Sequence, residues 1–284
     1  MPTTRVNYIL LAVATLLLII GIANQHDGVR FTIQKAWHHE SPSGAETSHP
    51  YSDADTSHST PNTLSHTSNQ PTFHEIALKY GTDKVVDHQY WFMYDKYFPA
   101  IRNDKIKMLE IGLGCDTHYG PGKSYYTWLD YFPHVDLYFM EFDEACADKW
   151  AAETTGATIF AGDQADPIFL QKFINESGGE FDVIIDDGGH TMDQQLTSLE
   201  YLWKIVKPGG LYIIEDLQTS HWPVFGGDPT MSDPNVPTML KFIFELIDDK
   251  MIPDGTTHAI SMEMRGIDCQ REICTLVKKE AGTL

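Results

Sequence analysis

The chain has 284 residues, 42% of them hydrophobic, and a formal net charge of −20 at pH 7. That length accommodates one large domain or two small ones around a real core. The acidic balance excludes a general nucleic-acid binder, which needs a basic surplus to neutralise phosphates, and suits a domain that collects a cation.

In chain order, residues 1–5 form a short tail before an apolar run, Val6 to Ala23, interrupted only by Asn7 and Thr15. Its length falls at the short end of the ~17–25 residues of a spanning helix. Residues 6–23 therefore read as a transmembrane signal-anchor and a membrane contact. The small-x-small stretch Gly21-Ile22-Ala23 keeps a cleaved signal peptide as the alternative. The anchor predicts a single-pass type II protein of the secretory pathway, in Golgi or ER with the rest of the chain luminal; cleavage predicts secretion. Asn175-Glu176-Ser177 is a glycosylation sequon usable in such a setting. Residues 24–72 read as a disordered Ser/Thr/Pro-rich stem, because Ser41 to Thr72 holds 8 Ser, 6 Thr and 4 Pro and too little apolar surface to offset ordering entropy.

From Phe73 onward the periodicity becomes that of a folded domain, residues 73–284. Phe73–Tyr80 and Gln89–Ile101 carry helical spacing. Strands and helices then alternate: Lys107–Gly112, Ser124–Tyr131, Leu137–Glu141, Ala145–Thr154, Ala157–Ala161, Pro167–Asn175, Phe181–Asp186, Met192–Val206 and Leu211–Glu215. A helix over Val236–Asp248 follows. A strand pair, His258–Met264 and Ile273–Lys278, is expected to join through Arg265-Gly266. This alternation predicts an α/β domain with a mostly parallel sheet and helices on both faces. The four cysteines show neither a CxxC pair nor zinc spacing.

In such a sheet, ligands bind beyond the carboxyl ends of the strands. Those ends are acidic here: Glu110, Glu141, Asp186-Asp187 and Glu215-Asp216. Gly112 and Gly114, with the glycine-rich stretch before Ser124, suit close approach of a ligand, while Ser124 can also cap its helix. Glu141 stands where a nucleoside binder places its ribose acid. Asp163-Gln164 can read an adenine edge, or Asp163 can cap a helix. Asp187, Glu215 and Asp216 sit at neighbouring strand ends, where like charges call for a divalent cation, and all-oxygen ligation suits Mg²⁺, Mn²⁺ or Ca²⁺. His190 would lie beside that ion; the competing reading has Asp187 capping the next helix.

The ordered runs Tyr80-Gly-Thr-Asp-Lys84, LEIGLG, GDQADP (Gly162 to Pro167), IDDGGH and GGLYIIEDLQTS (Gly209 to Ser220), then His221-Trp222-Pro223, resemble the metal-dependent macrolide-sugar O-methyltransferases of the mycinamicin and macrocin type. Cephalosporin-hydroxylase-like proteins share the pattern. The resemblance implies a Rossmann-like class I S-adenosylmethionine (SAM) fold with seven strands and an antiparallel C-terminal edge. It implies a cofactor site lined by Thr82, Glu110, Gly112, Gly114, Ser124, Glu141, Asp163 and Gln164, with Asp186 close by. Asp187, Glu215 and Asp216 would hold Mg²⁺ or Mn²⁺, and His190 would be the general base. Two positions depart from the pattern: Glu141 stands where many relatives have Asp, and Gly189 where Ser is usual. The implied activity is SAM- and metal-dependent methylation of a hydroxyl on a sugar, glycan or other polyol. The alternatives are methylation of a small polyketide or catechol-like metabolite, and a non-catalytic SAM- or nucleoside-binding protein.

Overall fold

The computed structural model describes residues 70–115, 117, 120–252 and 258–282. Seven strands form one sheet in the order β3-β2-β1-β4-β5-β7-β6. They are β1 (Lys107–Ile111), β2 (Asp136–Glu141), β3 (Ala157–Ala161), β4 (Phe181–Asp186), β5 (Val206–Ile214), β6 (Met264–Gln270) and β7 (Ile273–Lys278). The first five are parallel, and β7 runs antiparallel between β5 and β6. The expected mostly parallel sheet with an antiparallel C-terminal edge is thus the one observed.

The helices are α1 (Phe73–Tyr80), α2 (Asp83–Val86), α3 (Trp91–Tyr97), α4 (Lys123–Tyr131), α5 (Glu144–Trp150), α6 (Pro167–Ser177), α7 (Met192–Leu202), α8 (Met239–Met251) and α9 (Ala259–Glu263). Alternate strand residues point to opposite faces, and each face has its own core. Leu109, Ile111, Ile184 and Ile214 pack with Leu170 and Phe173 of α6, Leu199 of α7 and Ile243 of α8. Met108, Val183, Ile185 and Ile213 pack with Phe73 of α1, Tyr94 of α3 and Trp128 of α4. Burying each such side chain contributes roughly 1.5–3 kcal/mol, so both layers fasten the sheet.

The chain runs outward from β1 through β2 to β3, then returns to β4 beside β1. That reversal opens a crevice between the carboxyl ends of β1 and β4, the place where open α/β sheets hold ligands.

Two boundaries differ from expectation. The strand at β5 begins at Val206 and carries Lys207-Pro208-Gly209-Gly210 as an irregularity opposite β4, with the register stepping from Phe181↔Val206 to Val183↔Leu211. The residues from Ala259 form α9, and the hairpin turns at Arg271-Glu272, not Arg265-Gly266; Glu272 has φ 67°. Cys269 and Cys274 face each other across that hairpin in a disulfide, and Cys115 is bonded to Cys146.

The predicted anchor at 6–23 and the stem lie outside the described residues. Among the described residues no helix is long and apolar enough to cross a membrane. The longest, α8, has 13 residues, about 20 Å of rise against a hydrocarbon core of about 30 Å. The sequon closes α6, where Asn175 is exposed but Ser177 is buried.

Candidate active site

A cleft of about 560 Å³ occupies the crevice, within the usual range of small-molecule sites. The turn leaving β1 forms one wall. Gly112 adopts φ 97°, and a Cβ there would stand 2.2 Å from the Asp187 carbonyl oxygen, so only glycine lets β1 and β4 approach this closely. Glu141, at the end of β2, accepts hydrogen bonds from the backbone N–H of Leu113 (3.0 Å) and Asp143 (2.8 Å). It lines the cleft together with Thr82, Gly112, Gly114, Ser124 and Gln164. The Cys115–Cys146 disulfide ties this wall to the first turns of α5.

Three of the expected cofactor residues, Glu110, Asp163 and Asp186, do not line the cleft. Glu110 is fully buried, and its Oε2 accepts from Ser124 Oγ (2.7 Å) and Trp128 Nε1 (2.8 Å). Ser124 therefore supports Glu110, while Gly122 occupies the N-cap of α4. Asp186 is fully buried and accepts from Ser198 and from Gln164 Nε2 (2.9 Å). Gln164 also accepts from Gly189 N–H (2.9 Å), so it braces the turn after β4. Asp163 accepts from Ala165 N–H (2.8 Å), and Asp166 is the N-cap of α6.

The other wall carries charge. Asp187, His190 and Asp216 line the cleft and bring one donor atom each to within 4.8 Å of one another. His190 has φ 58°, an uncommon conformation for a residue with a side chain. It is framed by Gly189 and by Thr191, whose capping box with Gln194 starts α7. Thr191, not Asp187, is thus the helix cap. Nε2 of His190 lies 3.8 Å from Asp216, and its buried Nδ1 has no hydrogen-bond partner among the described residues. Asp216 has φ 54°, and its backbone N–H donates to the Tyr90 hydroxyl (3.1 Å).

Glu215 is 1% exposed and does not line the cleft. Its Oε1 accepts from the Tyr94 hydroxyl and its Oε2 pairs with Lys84 Nζ at 2.5 Å. Lys84 also reaches Asp187 Oδ2 (2.7 Å) and Glu110 Oε1 (3.2 Å). Burial raises the affinity of all three carboxyls for protons, against the pull of Lys84, and Glu110 is pushed up to about 7. Burial works against the Lys84 charge, but the surrounding carboxylates outweigh it and raise its pKa. His88 adds a second imidazole, with Nδ1 3.1 Å from Glu272 and Nε2 3.8 Å from Asp216.

Lys84, Tyr90, Tyr94 and His88 were not expected as site residues. Lys84 closes the Tyr80–Lys84 run that carries the family resemblance, the one signal that could have found it. The tyrosines arrive on or beside α3 through contacts more than 120 residues long.

No family model matches the chain. Over 196 residues it is 36% identical to a demethylmacrocin O-methyltransferase of Streptomyces fradiae, an alignment covering 67% of this chain and 48% of that one. Over 198 residues it is 35% identical to the mycinamicin VI 2''-O-methyltransferase of Micromonospora griseorubida, covering 68% and 48%. The solved structure of MycE, the mycinamycin-pathway methyltransferase, in complex with Mg, SAH and mycinamycin VI superposes with a TM-score of 0.66. The identity there is 31%, covering 75% of this chain and 55% of that one. The chain is a homologue of the macrolide-sugar O-methyltransferases. It spans about half the length of the curated relatives it matches, and its fold is that of the class I methyltransferases. The cephalosporin-hydroxylase-like part of the expected resemblance is not shown by these relatives.

The homology corrects the membrane reading. The signal-anchor, the membrane partner and the type II placement in Golgi or ER find no support in bacterial relatives, which have no such organelles. Nor do they find it in a described structure whose helices are too short or too polar to span a bilayer.

Proposed function

We propose that this protein is a SAM-dependent, divalent-metal-dependent O-methyltransferase acting on a sugar hydroxyl of a glycosylated metabolite of macrolide type. The observation that carries the reading is the meeting of two walls in one cleft. The glycine-shaped turn after β1 and β2 faces the Asp187–His190–Asp216 cluster at the ends of β4 and β5. The relatives named for this chemistry support it, as does the Mg and SAH of the superposed structure.

The residues fit both groups. Two carboxylates and an imidazole within 4.8 Å of one another suit Mg²⁺ or Mn²⁺. Asp187 and Asp216 would hold the ion. Glu215, the third expected ligand, stands outside this group, with its oxygens held by Lys84 and Tyr94. Bound there, a divalent cation lowers the pKa of an acceptor hydroxyl. On the opposite wall Glu141 would take the ribose hydroxyls of SAM, and Gly112 and Gly114 would admit its backbone-facing edge. Thr82 and Gln164 complete that wall, while Glu110 and Asp186 hold it from behind.

His190 is the proposed general base. Its left-handed backbone, fixed by the α7 capping box, turns the imidazole into the cleft. The acceptor hydroxyl gives its proton to His190 as its oxygen takes the methyl group, and S-adenosylhomocysteine departs. Beyond His190 lies an apolar shelf. Phe225 sits 6.5 Å from the imidazole, Trp222 sits 5.9 Å from Phe225, and Val224 is 83% exposed. Such a surface suits the hydrophobic body of a macrolide, with Trp222 available to stack on a sugar face.

The decisive experiment incubates the protein with SAM, Mg²⁺ and a glycosylated macrolide bearing free sugar hydroxyls, and follows the product by mass spectrometry. A mass gain of one methylene on the sugar, lost on chelation with EDTA, is expected. Full turnover in EDTA would remove the metal from the mechanism.

A further inference from the structure

Lys84 is a lysine without solvent: its side chain is fully buried. It comes from α2, a four-residue helix that follows the left-handed turn at Gly81, and its carbonyl accepts from Tyr90 N–H (3.1 Å). Its ammonium donates to Glu215 (2.5 Å) and Asp187 (2.7 Å), and Glu110 Oε1, which accepts no hydrogen bond, completes the cluster as an ion pair at 3.2 Å. These acids end three adjacent strands, β5, β4 and β1. Without the ammonium they would repel one another across a poorly screened interior, with Asp216 adding a fourth charge nearby.

We propose that Lys84 is the resident cation of this cluster, a positioning residue that offsets its charge in the metal-free protein and so weakens its hold on a divalent ion. This rests on the reading of Asp187 and Asp216 as ion ligands. Two effects of Lys84 on an incoming ion oppose each other. It repels the ion, and it fixes the rotation of the Asp187 carboxylate by holding Oδ2. The second effect is the smaller one, because fixing the rotation of one short side chain, whose backbone is held by a hydrogen bond to the Ile111 carbonyl (3.1 Å), is a minor entropic gain. Repulsion between like charges a few ångströms apart persists at the reduced dielectric of a protein interior however the carboxylate is turned. The net consequence is a site that folds without metal and releases it readily.

Lys84→Met keeps an unbranched apolar side chain, one atom shorter than that of lysine, and removes its charge. Calorimetric titration with Mn²⁺ is expected to show binding tighter than wild type by at least about tenfold. Thermal unfolding should show a larger rise of the melting temperature on adding Mn²⁺ than wild type shows. A folded variant with equal or weaker affinity would overturn the proposal. The double variant Lys84→Met/Glu215→Gln covers the case in which the single variant does not fold. Removing one of the three acids that Lys84 offsets should restore part of the lost metal-free stability. A double variant as unstable as the single one would assign Lys84 to packing and hydrogen bonding alone, and the proposal would fall. If wild type takes up no Mn²⁺, the ligand reading fails, while recovery in the double variant still decides whether Lys84 offsets the charge.

Discussion

Glu141 and Glu215 both lie at the ends of parallel strands in the same sheet, yet their oxygens are held in different ways. Glu141 is satisfied by two backbone amides, that of Asp143 two residues on and that of Leu113 at the exit of the neighbouring strand, 28 residues before it. Glu215 is satisfied by the side chains of Lys84 and Tyr94, more than 120 residues away. The first wall of the cleft is therefore set by backbone shape, the second by balance among buried charges. A wall of the first kind responds to steric change. A wall of the second kind responds to protons and cations.

The strongest way to separate them is Asp187→Asn, which keeps shape and removes charge. Turnover should fall by about three orders of magnitude or more, since metal-assisted activation of the hydroxyl is lost. Calorimetry should show divalent-ion binding lost and SAM affinity retained; parallel loss of SAM affinity would mean the walls are not independent. Gly112→Ala attacks the point where they touch. Its Cβ would overlap the Asp187 carbonyl at φ 97°, so a destabilisation of about 2–4 kcal/mol is expected in urea unfolding, with both ligands binding more weakly.

Protons test the charged wall alone. Glu110 rises from 4.5 to about 7 on folding, so the folded state binds the proton more tightly than the unfolded one. Its contribution to stability is then full below pH 4.5 and is lost as pH rises through about 7, a change of about 3 kcal/mol. In EDTA, the stability of wild type relative to Glu110→Gln should decline across that window, and a flat difference would refute the assignment. Thr191→Ala should have the smallest effect. Losing the capping box of α7 should cost about 1 kcal/mol in thermal unfolding.

What was legible in the sequence follows the same division. The bounds of β4 coincide with its apolar run because a central parallel strand is buried on both faces and has no polar alternation to blur it; those of the half-exposed edge strand β3 coincide as well, set by the turn residues on either side. The acids at the strand ends were visible for the same reason, each standing where an apolar run stops. Pro208 and the two glycines after it were read as a break before β5, although the strand carries them as a local irregularity. Gly266 was read as a turn but lies within β6, and a Cβ there would meet nothing within 4 Å. Lys84 was visible only as one letter of a motif. Nothing near it in the chain shows that it is buried, because the three acids that make burial tolerable come from strands 26 to 131 residues further on. Local pattern reports local hydrogen bonding and is silent about charges that meet only after the sheet has formed.

The Cys115–Cys146 bridge gives the shaped wall a history. It joins the exit of β1 to the start of α5 across 31 residues, so the freedom of the intervening chain is reduced when the sulfurs couple, before any ligand arrives. A nucleoside entering an oxidised molecule meets two edges already fastened together. In a reduced molecule it would have to draw those edges together itself, and its affinity would carry the entropy of that ordering.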